Sequence, residues 1–208
     1  MDVALQGSNA TLRFPPDNQA NVFRNINGTT FLAVPTTNAD FRSRDVGTFT
    51  FADYNADGWL DLLSTGEDMA VKDVAALYTN NEGANFTLRL LDVQKGASYS
   101  TGEWGDYDND GYPDFCYYGY VLTNVTNPTP SFTGGIYKNV QGSGTFNLAQ
   151  TLNGTEGEGV ACIWGDYNND GRLDVFLIGY NILNGGVFTN TGATPSQPPS
   201  PPTEAIHR

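Results

Sequence analysis

Histidine is almost missing from this sequence: the one present, His207, lies in a proline-rich end. A Ser-His-Asp or Cys-His catalytic arrangement cannot form in the rest of the chain, and neither can a histidine-ligated catalytic zinc. Charge is also scarce, at 16% of residues, and positive charge scarcer still. Ten Lys and Arg stand against 23 Asp and Glu, for a formal net charge of −13. Nucleic acids and anionic membrane surfaces select clustered cations, so neither is an expected partner. No apolar run approaches the ~20 residues of a membrane span, and no membrane insertion is expected. Cysteine is limited to Cys116 and Cys162, which fit no CxxC or zinc spacing. Each lies in an apolar stretch. Buried free thiols are the plain reading, and a disulfide between neighbouring repeat units is the alternative. No long segment places apolar residues at i, i+3, i+4 and i+7, so no helix is expected. Gly-rich stretches such as 142–144 lack the GxxxxGK(S/T) phosphate-binding pattern.

What the chain does have is glycine, 24 residues of it, and an aromatic content of 12%. That mixture favours short strands joined by tight turns. It is also repetitive. Trp104 to Tyr120 reads WGDYDNDGYPDFCYYGY, Trp164 to Tyr180 reads WGDYNNDGRLDVFLIGY, and Phe51 to Glu67 reads FADYNADGWLDLLSTGE. Each copy is followed by an aromatic next to a polar turn: LYTNNEGANFTL from Leu77, IYKNVQGSGTFNL from Ile136 and VFTNTG from Val187. The same element occurs near the start as VFRNINGTTFLAV, from Val22.

One repeat therefore reads as four strands. Strand A precedes the Asp-rich loop (47–52, 100–105, 160–165) and strand B follows it (61–65, 114–120, 174–180). Strand C is the aromatic segment, and strand D follows its turn, at 85–91 and 145–151. The expected fold is all-β and β-propeller-like, with about three four-stranded blades and an Asp-rich loop between strands A and B of each. A half blade of strands C and D is expected at about 21–35, and the extra length of the repeats falls in B–C connections such as 122–134. The repeats span residues 1–191, and 192–208, with its PSQPPSPP run, reads as a linker or tail.

The loops carry the chemistry. Each fits D-x-(D/N)-x-D-G-x-x-D over residues 53–61, 106–114 and 166–174. The first offers Asp53, Asn55, Asp57 and Asp61, the second Asp106, Asp108, Asp110 and Asp114, the third Asp166, Asn168, Asp170 and Asp174. Oxygens at alternate positions converge if the chain curls, and the glycine at position six permits the curl. The backbone carbonyl of position seven (Trp59, Tyr112, Arg172) supplies a further donor. Hard oxygens select Ca²⁺ over zinc or copper, and Mg²⁺ demands tighter geometry. About three Ca²⁺ per chain are expected, offsetting six of the negative charges. Counting carboxylates makes the second loop the tightest site. An EF-hand is excluded because position twelve holds Ser64, Tyr117 and Leu177 rather than Glu.

These loops, with WGDY at Trp104 and Trp164 and FADY at Phe51, resemble the FG-GAP/VCBS repeats of integrin α-subunit propellers and many secreted proteins. The resemblance implies that each loop joins strands A and B of a blade and holds Ca²⁺ through the residues named above. Such propellers usually have about seven blades, so three loops imply further blades or self-association into a ring or filament.

The expected function is a non-enzymatic, calcium-binding structural or adhesive module, extracellular or at the cell surface, where millimolar calcium keeps such loops loaded. Residues Met1 to Pro16 show neither a basic nor an apolar leader segment. Sequons at Asn9, Asn27, Asn85, Asn124 and Asn153 accord with secretion without requiring it. A calcium-dependent lectin is one alternative, with Trp59 or Tyr112 stacking on a sugar or another glycan or protein ligand. A fragment of a polysaccharide-acting enzyme is another. Its carboxylates would come from Glu67, Asp68, Glu103, Glu156 or Glu158, whose plain reading is solvated acids.

Overall fold

A computed structural model describes residues 3–7, 19–34, 47–68, 72–73, 75–93, 98–122, 130–152, 158–180 and 186–192. Among the described residues every regular element is a strand, and every strand pair is antiparallel. The first sheet joins β1 (Val3–Gly7), β2 (Gln19–Ile26) and β3 (Thr30–Ala33). The second begins with β4 (Phe49–Ala52) and β5 (Asp61–Ser64). A ribbon of β6 (Glu67–Asp68) and β7 (Lys72–Asp73) follows, and β8 (Ala76–Asn81) and β9 (Asn85–Leu90) complete that sheet in the order β4-β5-β8-β9. The third is β10 (Ser98–Gly105), β11 (Asp114–Leu122), β12 (Pro130–Asn139) and β13 (Phe146–Thr151). The fourth is β14 (Glu158–Gly165), β15 (Asp174–Tyr180) and β16 (Val187–Phe188).

The sheets are meanders because the local chemistry repeats. The turn before β3 places Asn27 and Gly28 at φ of 54° and 74°, that before β9 places Glu82 and Gly83 at 54° and 76°, and that before β13 places Gln141 and Gly142 at 50° and 71°. Two successive positive φ values match the right-handed twist of a tight hairpin, and glycine at the second position carries the larger share without a Cβ clash.

Three expectations change on this fold. The N-terminal pair of strands is a three-stranded sheet, because β1 pairs with β2 from Val3↔Phe23 to Gly7↔Gln19. The second to fourth strands of the unit are thus present there, rather than a half blade. The 122–134 connection is partly hairpin: β11 and β12 stay paired out to Leu122↔Pro130. Finally, the cysteines are not free thiols. Cys116 on β11 and Cys162 on β14 form a disulfide between adjacent sheets, with Cα atoms 6.5 Å apart. The proline-rich 193–208 segment, and the sequons at Asn9, Asn124 and Asn153, lie outside the described residues. Asn27 and Asn85 are exposed.

The core lies between successive sheets. Phe115 stacks on Tyr137 at 4.9 Å and meets Phe146 edge-on at 5.0 Å, and this cluster takes in Leu63 from the preceding sheet. Tyr118, Ile136 and Leu152 join Cys162, Val175 and Leu177 of the following sheet around the disulfide. Trp104 and Trp164 bridge sheets in the same way. Their indole N–H groups donate to Thr50 and Glu103 carbonyls of the sheet before, at 3.2 and 3.0 Å. A partly buried indole keeps its one donor satisfied by such a bond.

Candidate metal centre

Each Asp-rich loop connects the first and second strands of its sheet, and the three loops adopt one conformation. Position four is left-handed in all of them (Ala56, Asn109 and Asn169, φ 56° to 58°), as is the glycine at position six (Gly58, Gly111 and Gly171, φ 81° to 88°). A Cβ on any of these glycines would meet nothing within 4 Å, so backbone conformation, not space, requires glycine there.

The curl turns backbone N–H groups inward onto the acidic side chains. Asp53 accepts from Asp57 and Gly58 at 3.0 and 2.8 Å, Asp106 from Asp110 and Gly111 at 3.0 and 2.9 Å, and Asp166 from Asp170 and Gly171 at 3.1 and 2.9 Å. The carboxylate at position five accepts from the N–H of position seven: Asp57 from Trp59, Asp110 from Tyr112, Asp170 from Arg172, at 2.8 to 3.0 Å. Asn55 and Asn168 accept from position five and donate their amides back to Asp57 and Asp170. Positions one and five of every loop, and position three of the first and third, are therefore held by the loop itself.

Position nine is different. Asp61, Asp114 and Asp174 are fully buried at the start of the second strand. Each accepts one N–H from the loop tyrosine (Tyr54, Tyr107, Tyr167; 2.9 to 3.3 Å) and one from the third-strand asparagine (Asn80, Asn139, Asn190; each 2.7 Å). Burial pushes the Asp61 and Asp114 carboxyls up to about 6, against the lowering effect of those hydrogen bonds. These aspartates thus fasten the loop to the third strand while presenting their carboxylates to the loop interior.

In the second loop, Asp106, Asp108 and Asp114 each place a carboxylate oxygen within 4.8 Å of the others. Two oxygens ligating one Ca²⁺ at 2.3–2.6 Å stand at most ~5 Å apart, so this trio fits a calcium ion. The first and third loops carry Asn at position three, and among the described residues no such trio of carboxylates forms there. Their oxygen sets otherwise follow the same hydrogen-bond pattern.

Two cations in the site were not read from the sequence. The Lys138 ammonium on β12 pairs with Asp108 and lies 3.6 Å from Asp110, and its hydrogen bond to Asp108 holds it above the usual lysine range. Arg172, named for its carbonyl, also sends its side chain to Asp170 and donates to the Asn190 carbonyl at 2.8 Å. Trp59 is 42% exposed, whereas Tyr112 is half-buried. The third-strand asparagines were read only as a strand marker. Their fixed place after the aromatic, two residues on in Tyr78-x-Asn80, Tyr137-x-Asn139 and Phe188-x-Asn190, was the available signal of a specific bonding role.

Residues 53–117 carry an FG-GAP-like repeat, by match to the model of that family. The match begins on the first acidic residue of the first loop and contains the whole of the second. No curated protein and no solved structure matches the chain.

Proposed function

We propose that this chain is a non-enzymatic, calcium-binding structural or adhesive module of the extracellular space, in which each sheet is a propeller-type blade and each Asp-rich loop holds one Ca²⁺. The observation that carries this reading is the threefold recurrence of one loop conformation around hard oxygen donors, with three carboxylates of the second loop gathered to calcium-ligand distances. The FG-GAP-like repeat over 53–117 supports the same assignment.

At each site, positions one, three, five and nine would supply side-chain oxygens, and the carbonyls of Trp59, Tyr112 and Arg172 a further donor. Calcium would neutralise carboxylates that otherwise repel at close range. Its role is to stabilise the fold, not to trigger a switch, because the loops are already shaped by backbone hydrogen bonds. Binding to the folded state alone adds about 2.7 kcal/mol per site at 100 times Kd. The disulfide accords with an oxidising compartment. The last sheet exposes Ile163 and Ile178, which favours contact with a further blade or a second copy.

Calorimetric calcium titration of the full chain, with Asp57→Ala, Asp110→Ala and Asp170→Ala alongside, tests the reading. Three sites are expected, with one lost in each variant, and chelation should lower the melting temperature by many degrees. Fewer than two sites in the unaltered chain, or a melting curve indifferent to EGTA, rejects it. The exposed indole of Trp59 beside the first loop favours one second reading, a calcium-dependent glycan-binding surface. Binding on a glycan array that EGTA abolishes, and that Trp59→Ala also abolishes, would establish it.

A further inference from the structure

We propose that Lys138 is a built-in counter-ion of the second loop, which cancels the charge of Asp108 and sets the calcium affinity of that site. This rests on the calcium reading above and goes beyond it. The second loop has Asp108 at position three, where the other loops have Asn55 and Asn168. The third-strand residue just before the clamping asparagine is Lys138 in this unit, but Thr79 and Thr189 in the others. The two departures meet: the Lys138 ammonium touches Asp108 and lies 3.6 Å from Asp110.

Charge accounting gives the pairing its meaning. The first loop holds three carboxylates. The second holds four carboxylates and one ammonium, so the two sites present the same net charge. The extra carboxylate therefore does not make the second loop the tightest site, as its acid count alone suggests. A divalent ion bound to Asp108 and Asp110 has Lys138 about one carboxylate away. Repulsion across that distance corresponds to a factor of about ten or more in affinity, even at the dielectric constant of water. The side chain is partly exposed, at 43%, so it has room to swing aside, and it still lowers affinity because its bond to Asp108 must then be given up.

The test is a double-mutant cycle on the full chain with Lys138→Thr, Asp108→Asn and the pair together. Calcium binding is followed by calorimetry and by terbium luminescence, and melting in EGTA is measured in parallel. Lys138→Thr should tighten one calcium step about tenfold and lower the melting temperature in EGTA, because four carboxylates are then left uncompensated. Asp108→Asn alone should weaken one step at least tenfold. The double variant should return to within about threefold of the unaltered chain in both measurements. Calcium bound normally but unchanged by Lys138→Thr would overturn the proposal while leaving the calcium reading intact. If the unaltered chain binds no calcium, the calcium reading fails, and EGTA melting decides the charge balance separately. Equal melting of Lys138→Thr and the double variant would then overturn it, and a lower value for Lys138→Thr would support it.

Discussion

The Asn139 side chain donates to the backbone carbonyl of Tyr54, 85 residues earlier, at 2.8 Å. Tyr54 belongs to the first loop, and the backbone N–H of the same asparagine holds Asp114 of the second loop at 2.7 Å. One residue thus fastens consecutive loops to each other. Asn190 repeats the arrangement one sheet further on, donating to Tyr107 at 2.9 Å and to Asp174 at 2.7 Å. Asn109 adds a direct bond from the second loop to Gly171 of the third, at 3.2 Å.

Asn139 is fully buried and also donates to Pro113 at 3.0 Å, so its removal strands two carbonyl acceptors at once. Asn139→Ala should cost about 3 kcal/mol, at ~1–3 kcal/mol for each unsatisfied buried group. Asn81→Ala, at an exposed position on β8, should cost well under half of that. Urea denaturation of both variants makes the comparison, and equal midpoints would remove Asn139 from this role.

The cystine joins residues 46 apart in sequence. Closing a loop of that length limits the unfolded chain and is worth about 4 kcal/mol on the chain-entropy account. Cys116→Ser with Cys162→Ser, or reduction of the unaltered chain, should therefore move the denaturation midpoint sharply down. A midpoint insensitive to a strong phosphine reductant would show that the two thiols are not paired in solution.

The raised pKa values of Asp61 and Asp114 give a signed prediction for the calcium-free chain. Both sit at about 6, above the ordinary aspartate value of 3.8, because burial disfavours the charged form, so the fold favours the protonated carboxyl. Their contribution to stability is full below about pH 4 and is lost as pH rises through 6. Calcium needs the ionised form, so its stabilising effect should grow across the same window. Melting temperatures in EGTA and in calcium should therefore diverge as pH rises from about 4 through about 6. Asp61→Asn should flatten the EGTA curve, and an unchanged slope in that variant would contradict the assignment.

The outer face of the last sheet argues for association. Thr65 and Tyr118 hold the same position after the closing aspartate of their loops as Ile178, and both are buried. Ile178 is 57% exposed, and Ile163 on the neighbouring strand 44%. The chain is expected to self-associate at micromolar concentration in calcium, and Ile178→Asp should shift it toward monomer. Light scattering that finds a stable, well-folded monomer of the unaltered chain would refute this.

The loops were legible because their ligand spacing is strictly local: alternate positions, a glycine, and a closing aspartate recur within nine residues of sequence. The strand order within each unit followed from the same repetition. What stayed hidden depends on contacts between units. Cys116 lies on a second strand and Cys162 on a first strand, so comparing the repeats with one another gives no cue that they meet. Lys138 reaches Asp108 only through the pairing of β11 with β12, which fixes its height above the loop. Strand β1 carries its own signal in the sequence. Asp2 to Gly7 reads DVALQG, the same D-x-x-x-x-G as Asp61 to Gly66, Asp114 to Gly119 and Asp174 to Gly179.

Trp104 and Trp164, and the side chains of Asn139 and Asn190, all bond backward to main-chain carbonyls of the preceding unit rather than to particular side chains. A carbonyl is offered by any residue at that place, so the receiving unit need not match the arriving one in sequence. A gene segment encoding one unit can therefore be copied in tandem, and the duplicate carries its own means of attachment. The individual copies are then free to differ in and around their loops, as Lys138 beside the second and Arg172 within the third illustrate.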